Sequence, residues 1–343
     1  MATALAPAAV SAAPTVEEVR IVSRIGGEQV ASDQPKRARR DRGVELFAVL
    51  EVEDRGRTRY YADVDRIKLG AKTFRAEPLS RAPMHLVTWW RVEPTAEDLS
   101  NTASGRFRFE SIKYQETPIW GAMNRSRVDA DVRPTLTTDR GKGLGTMRYQ
   151  LRVLTADRVV ESPGSEARAG RGLGGLSKRV HRVSLRADDS YVGFLTEMYG
   201  QPYIWASAGL SDRRHQSERL EGSDCADFVT YGWRRMGHRV PYTWTGGLPK
   251  LTRRLSRVGR PDSDGVYRDK RGRALAYPAR GDLILFPRHV GVLVEDRGIK
   301  GTLDDADLMF HTLFKSPEME EIRRTAYAGR RVELLRWRGH HPQ

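Results

Sequence analysis

Residues 281–292 read Gly281-Asp282-Leu283-Ile284-Leu285-Phe286-Pro287-Arg288-His289-Val290-Gly291-Val292. A turn feeds one apolar strand over 283–286, a tight turn follows, and His289 opens a second strand over 289–294. Further short apolar runs lie downstream at 308–313 and 332–337. Upstream the spacing becomes helical. Asp188 or Asp189 can cap a helix carrying Val192, Leu195, Met198 and Tyr199, which Gly200 ends. A second helix starts at Asp224 or Cys225 and runs to Met236, with Gly237 as its C-cap. A third covers 250–258. Helices followed by consecutive strands predict an α+β domain with an antiparallel sheet over 188–343.

Within that domain Cys225 is the only cysteine of the 343-residue chain, so no internal disulfide or cysteine-rich zinc site can form. It stands at a predicted helix start, in Gly222-Ser223-Asp224-Cys225-Ala226-Asp227-Phe228. The dipole and free N–H groups there stabilise an anion, which lowers a thiol's pKa and can hold a developing oxyanion. A buried, inert cysteine is the plain alternative. A histidine at a strand start, such as His289, can face a helix N-terminus and take the thiol proton. His311, in the next strand, can orient that imidazole in the manner of a triad. Asp307 is the alternative third residue. Asp224 reads first as a cap. His215 and His238 read as exposed loop residues, and His340 and His341 as part of an inert basic tail.

The remainder of the chain is of another kind. From 17 to 161, β-branched or alternating runs at 19–25, 44–52, 57–67, 85–92, 106–114 and 146–154 are separated by turn-like segments, predicting an all-β, sandwich-like domain. Trp89 and Trp90 share one run, so one should point inward and the other outward. Residues 162–187 open Gly-rich and read as a linker. Gly170, Gly172 and Gly175 match G-x-G-x-x-G, but no apolar strand precedes them and no amphipathic helix follows, so a dinucleotide site has no support. Residues 1–16 read as a flexible tail or the remnant of a secretory signal, from their alanine content and small residues near Ala12 and Ala13. Lys plus Arg number 59 against 44 Asp plus Glu, a net charge of +15 that favours polyanions. The densest run, Lys36 to Arg42, reads as a solvated loop, and no nucleic-acid-binding signature accompanies it. No apolar stretch is long enough for a transmembrane helix, and no zinc-peptidase, serine-hydrolase or P-loop motif is present.

Taken in order, Pro202-Tyr203-Ile204-Trp205, Asp224-Cys225-Ala226-Asp227-Phe228-Val229, Gly237-His238-Arg239-Val240-Pro241, Gly281-Asp282-Leu283-Ile284-Leu285-Phe286, His289-Val290-Gly291-Val292 and Phe310-His311 resemble the NlpC/p60 family of papain-like cysteine peptidases acting on bacterial cell walls. The resemblance covers about residues 188–325. It implies an α+β papain-like fold, Cys225 as nucleophile, His289 as base, His311 as third residue, Tyr203 and Asp224 beside the substrate or oxyanion, and no cofactor or metal. The family usually has Ser and Gly after the cysteine, where this chain has Ala226 and Asp227. Extra residues at 210–219 and 296–307 are expected to project near the catalytic end.

The expectation is thus an extracytoplasmic cysteine peptidase or amidase cleaving peptide or isopeptide bonds in peptidoglycan stem peptides. Its partner would be peptidoglycan or another anionic wall polymer, with no obligate nucleic acid and no stated oligomeric state. An amidase or acyltransferase on another acyl substrate, and a non-catalytic wall-binding protein, are the alternatives.

Overall fold

The computed structural model describes residues 13–101, 112–170 and 174–340. Almost all of the Ala-rich start, most of the strand expected at 106–114, Gly172 and His341 lie outside the described residues.

The chain is mostly β, with 41% strand against 13% helix, and one sheet is nearly closed and barrel-like. The expected combination, an α+β papain-like domain behind an all-β sandwich-like one, is therefore not the class it adopts. The cause lies in how far the helices extend. The three expected over 188–200, 224–236 and 250–258 come out as α1 (Tyr191–Leu195), α2 (Cys225–Arg235) and α3 (Leu248–Leu251), and only α2 reaches 11 residues. After α3 the chain does not stay helical but enters the strand Thr252–Arg254, at the edge of a sheet.

Two N-terminal sheets share one apolar core. In the 7-stranded sheet, Val44–Asp54 pairs antiparallel with Thr15–Ile25. Its alternate residues Leu46, Ala48 and Leu50 enter the shared core. Phe47 and Val49 point the other way, onto Ala62 and Ile67, so the run is apolar on both faces. In the 6-stranded partner sheet, Gly145–Leu154 lies between Leu86–Pro94 and His181–Arg186. Trp89 is buried in the shared core, while Trp90 is half-buried under the Arg152 guanidinium. The segment expected as a linker ends in the strand His181–Arg186, because Val183 and Leu185 alternate into that same core.

A second 6-stranded sheet follows, antiparallel throughout, in the order Thr252–Arg254, Glu333–Trp337, Leu283–Phe286, His289–Glu295, Leu308–His311, Glu318–Glu321. Helix α2 lies across it. Phe228 and Val229 pack with Val290, Val292, Phe310 and Leu335 in one cluster. At the sheet's far side the fully buried Asp282 takes both ends of the Arg336 guanidinium, at 2.7 and 2.5 Å.

The two halves are joined by buried polar contacts. Glu197 has no exposed surface, yet accepts from Arg235 at 2.9 and 3.0 Å and from the Tyr231 hydroxyl at 2.5 Å, all on α2, and lies 3.5 Å from Arg186 of the N-terminal sheet. Strand Asp98–Ser100 pairs in parallel with Tyr203–Trp205. Arg140 bridges Glu97 at 2.5 Å and Glu318 at 3.1 Å. Glu197→Ala would leave two guanidinium groups without their shared carboxylate. It is expected to cost about 3–5 kcal/mol, read as a lower urea midpoint at unchanged slope. A loss below about 1 kcal/mol would contradict this account of the junction.

Candidate active site

Gly222, at φ +148, lets the chain enter α2 hard against Pro202, whose carbonyl oxygen would lie 2.5 Å from a Cβ placed there. Asp224 is the N-cap, its Oδ1 accepting from the Ala226 and Asp227 N–H groups at 2.9 Å each. Ser207 Oγ accepts from the Asp224 N–H at 3.0 Å and donates to Asp227 Oδ2 at 2.5 Å. Cys225 is therefore the first helical residue, and its own N–H has no partner among the described residues.

Opposite, the Phe286–His289 pair closes a tight turn, and His289 starts its strand fully buried. Its Nε2 lies 2.9 Å from His311 Nδ1, and His311 Nε2 lies 2.8 Å from Glu320 Oε1. The proton positions follow from this network. A carboxylate only accepts, so His311 Nε2 carries the hydrogen facing Glu320. Neutral His311 then accepts at Nδ1, and His289 donates from Nε2. What remains on His289 is an unprotonated Nδ1, which is buried and has no hydrogen-bond partner among the described residues. That lone pair is what a general base needs. Tyr327 stacks on the His289 ring, with centroids 4.7 Å apart.

The Val290 N–H, next along from His289, points at the Cys225 sulfur. It does not decide the thiol's charge. Burial pushes the thiol well up, the Asp224 carboxylate adds to the rise, and the Val290 and Ala226 N–H groups only oppose them. The expected lowering by the helix start is thus overturned, because Cys225 is only 5% exposed and has an ionised cap beside it. Burial, then the neighbouring His311, hold His289 well below the usual histidine range. The resting pair is a neutral thiol and a neutral imidazole.

Asp224 itself is raised to about 6 by burial, against the two N–H groups it accepts from. Asp227 is raised well above the carboxylate range by burial and by Asp224. The Tyr203 hydroxyl keeps its proton, pushed up by burial and by Cys225, and makes no hydrogen bond among the described residues. The Tyr203 ring meets Phe314 edge-on at 5.4 Å. Ala206, Arg288 and Phe314 have φ of +55, +72 and +56, each next to or just beyond a strand that carries one of these groups. Such positions cost about 1–3 kcal/mol each and collect at functional sites.

The structure brings together Cys225, Asp224, Tyr203, His289 and His311. It does not bring in Asp307, whose oxygens hold the Arg297 and Asp304 N–H groups of its own loop at 2.8 and 2.9 Å. That loop, 296–307, is tied to itself. The other inserted segment, 210–219, folds back onto α2. His215 is buried rather than exposed, 3.4 Å from Asp227 and stacked on Tyr242 at 3.8 Å. His238 is half-buried and stacks on Trp233 at 3.7 Å. Sequence reasoning missed Glu320 and Tyr327. Period-2 alternation in Glu318–Glu321 sets Glu318 and Glu320 on one face, and the register puts Glu318 directly across from His311. The donor atoms of His311, Glu318 and Glu320 lie within 4.8 Å of one another, close enough for a metal ion. Lys315 already contributes the positive charge there, paired with Glu318 and 3.9 Å from Glu320.

Compared with known proteins, the chain matches no family model, no curated protein and no solved structure. No helix among the described residues is long and apolar enough to cross a membrane.

Asp224→Asn keeps the capping oxygen and removes the charge that raises the thiol. The Cys225 pKa should fall, and alkylation of the native protein at fixed pH should quicken by about tenfold for each unit of the fall. Rates measured across pH test this, and an unchanged or slower rate would count against it.

Proposed function

We propose that this chain is a cysteine hydrolase that cleaves peptide or isopeptide bonds, with peptidoglycan stem peptides as the first substrates to try. One observation carries the reading: the partnerless Nδ1 of His289, at the end of a hydrogen-bonded relay from Glu320. The NlpC/p60-like order of the motifs supports it, and so does the unengaged Cys225 N–H.

In this mechanism the Cys225 S–H proton passes to His289 Nδ1 as sulfur bonds to the substrate carbonyl carbon. The carbonyl oxygen becomes an oxyanion, facing the Cys225 N–H and the Tyr203 hydroxyl. The C–N bond then breaks, and the proton on His289 goes to the leaving amine. Water attacks the thioester, gives a proton to His289, and the released sulfur takes it back. Each step needs His289 neutral at the outset, the state that burial favours. Glu320 keeps the relay in register, since the His311 hydrogen bond lowers its own pKa and leaves it ionised. No cofactor enters the scheme. The net charge of +15 would retain the protein on an anionic wall, which with the Ala-rich start underlies the extracytoplasmic placement proposed here.

A second reading, a wall-binding protein with an inert thiol, is favoured by the burial and raised pKa of Cys225. A third keeps the same acyl-enzyme but gives it another amide, ester or acyl donor. Assay on purified wall peptides and on a panel of amides and thioesters separates them. The hydrolase reading expects Cys225→Ala to lose at least about 10³-fold. Full activity of that variant would overturn it. Glu320→Gln should lose about 10²- to 10⁴-fold, because an amide N–H facing His311 Nε2 reverses the tautomers and places a proton on His289 Nδ1. Glu320→Gln with wild-type rates would remove Glu320 from the relay.

A further inference from the structure

The turn that delivers His289 is Pro287-Arg288. Proline fixes the φ of the first turn residue, and the second takes φ +72, a position at which glycine or asparagine is the easy choice. Arginine stands there instead. Its side chain is exposed and has no hydrogen bond or ion pair among the described residues. That sets it apart in a chain where most buried and half-buried arginines are paired. It is the immediate neighbour of His289, and the next residue on, Val290, points its N–H at the Cys225 sulfur. Arg330 reaches the same end of the sheet from another segment. Its N–H closes a turn on the Tyr327 carbonyl at 3.1 Å, and Tyr327 is the residue stacked on His289. Arg330 is also exposed and equally without an acidic partner among the described residues.

We propose that Arg288 and Arg330 form a subsite for a substrate carboxylate beside the bond that Cys225 attacks. The inference deepens the hydrolase reading and rests on it for the word substrate. Two guanidinium groups flank the His289–Tyr327 stack, and nothing within the described chain neutralises them. Guanidinium is the side chain suited to a planar carboxylate, which it can hold by two parallel N–H···O bonds. Both groups also oppose the rise of the Tyr327 hydroxyl, which burial and Cys225 push up, so both act at the same spot. The substrate class is then a peptide with a free carboxylate close to the scissile amide, rather than a neutral internal peptide bond.

The test uses the full chain and needs no turnover. Cys225 is the only cysteine, so its alkylation can be followed by intact mass. Iodoacetate carries a carboxylate and iodoacetamide does not. The ratio of their rates on the native protein, divided by the same ratio on the urea-unfolded chain, should exceed unity. Arg288→Ala and Arg330→Ala should each lower it by about two- to fivefold, the scale of an exposed charge pair. Arg288→Lys should keep part of it, and added salt should erode it. A ratio indifferent to both alanine variants overturns the subsite, as does a native thiol that neither reagent reaches. Because Arg288→Gly relieves the positive φ, it supplies a variant that cannot lose the ratio through added turn strain. Failure of the hydrolase reading registers separately, in the Cys225→Ala assay on wall peptides.

Discussion

The Glu320 carboxylate on His311 Nε2 sets the proton positions along the whole row of groups behind Cys225. From it follow the tautomer of His311, the tautomer of His289, and the bare Nδ1 that faces the helix start. The row is short and buried, with links of 2.8 and 2.9 Å, so its polarity does not average out in water. Both the thiol and the imidazole are neutral at rest, which makes the pair a general-base system and not a preformed thiolate–imidazolium. The helix start still contributes through its free N–H, which is aimed where negative charge would develop.

The N-terminal sheets take part in building this end of the molecule. Strand Asp98–Ser100 pairs with the strand that carries Tyr203, and the Tyr203 N–H reaches the Glu97 carbonyl at 2.8 Å. Arg140 holds Glu97 and Glu318 together, and Glu318 shares its strand face with Glu320. Glu197 anchors α2 to the strand His181–Arg186 by way of Arg186 and Arg235. The tyrosine, the helix and the relay carboxylate are thus each braced from the N-terminal side.

Much of this was open to reading along the chain, and the limits of that reading have physical causes. The strands around Pro287-Arg288 and the start of α2 are local patterns, carried by apolar runs, a turn and a capping aspartate, and they come out where the spacing puts them. The extent of helix was overread. Apolar spacing reports a period but not how many turns survive, and at Thr252 the pairing with Trp337 outweighs continuation of the helix. Glu320 was invisible because its meeting with His311 depends on a strand register that one sequence does not display. The thiol's state was misjudged for a related reason. A helix start lowers a thiol only if water still reaches it, and burial is a property of the finished packing. His215 looked like loop filler until Tyr242 and Asp227 closed around it.

The central claim is about where one proton sits, and nitrogen NMR of the labelled histidine rings reads that directly. Near neutral pH the account predicts that His289 is uncharged, with hydrogen on Nε2 and a bare Nδ1, and that His311 carries its hydrogen on Nε2 toward Glu320. A proton on His289 Nδ1, whether as the other tautomer or as imidazolium, would contradict it.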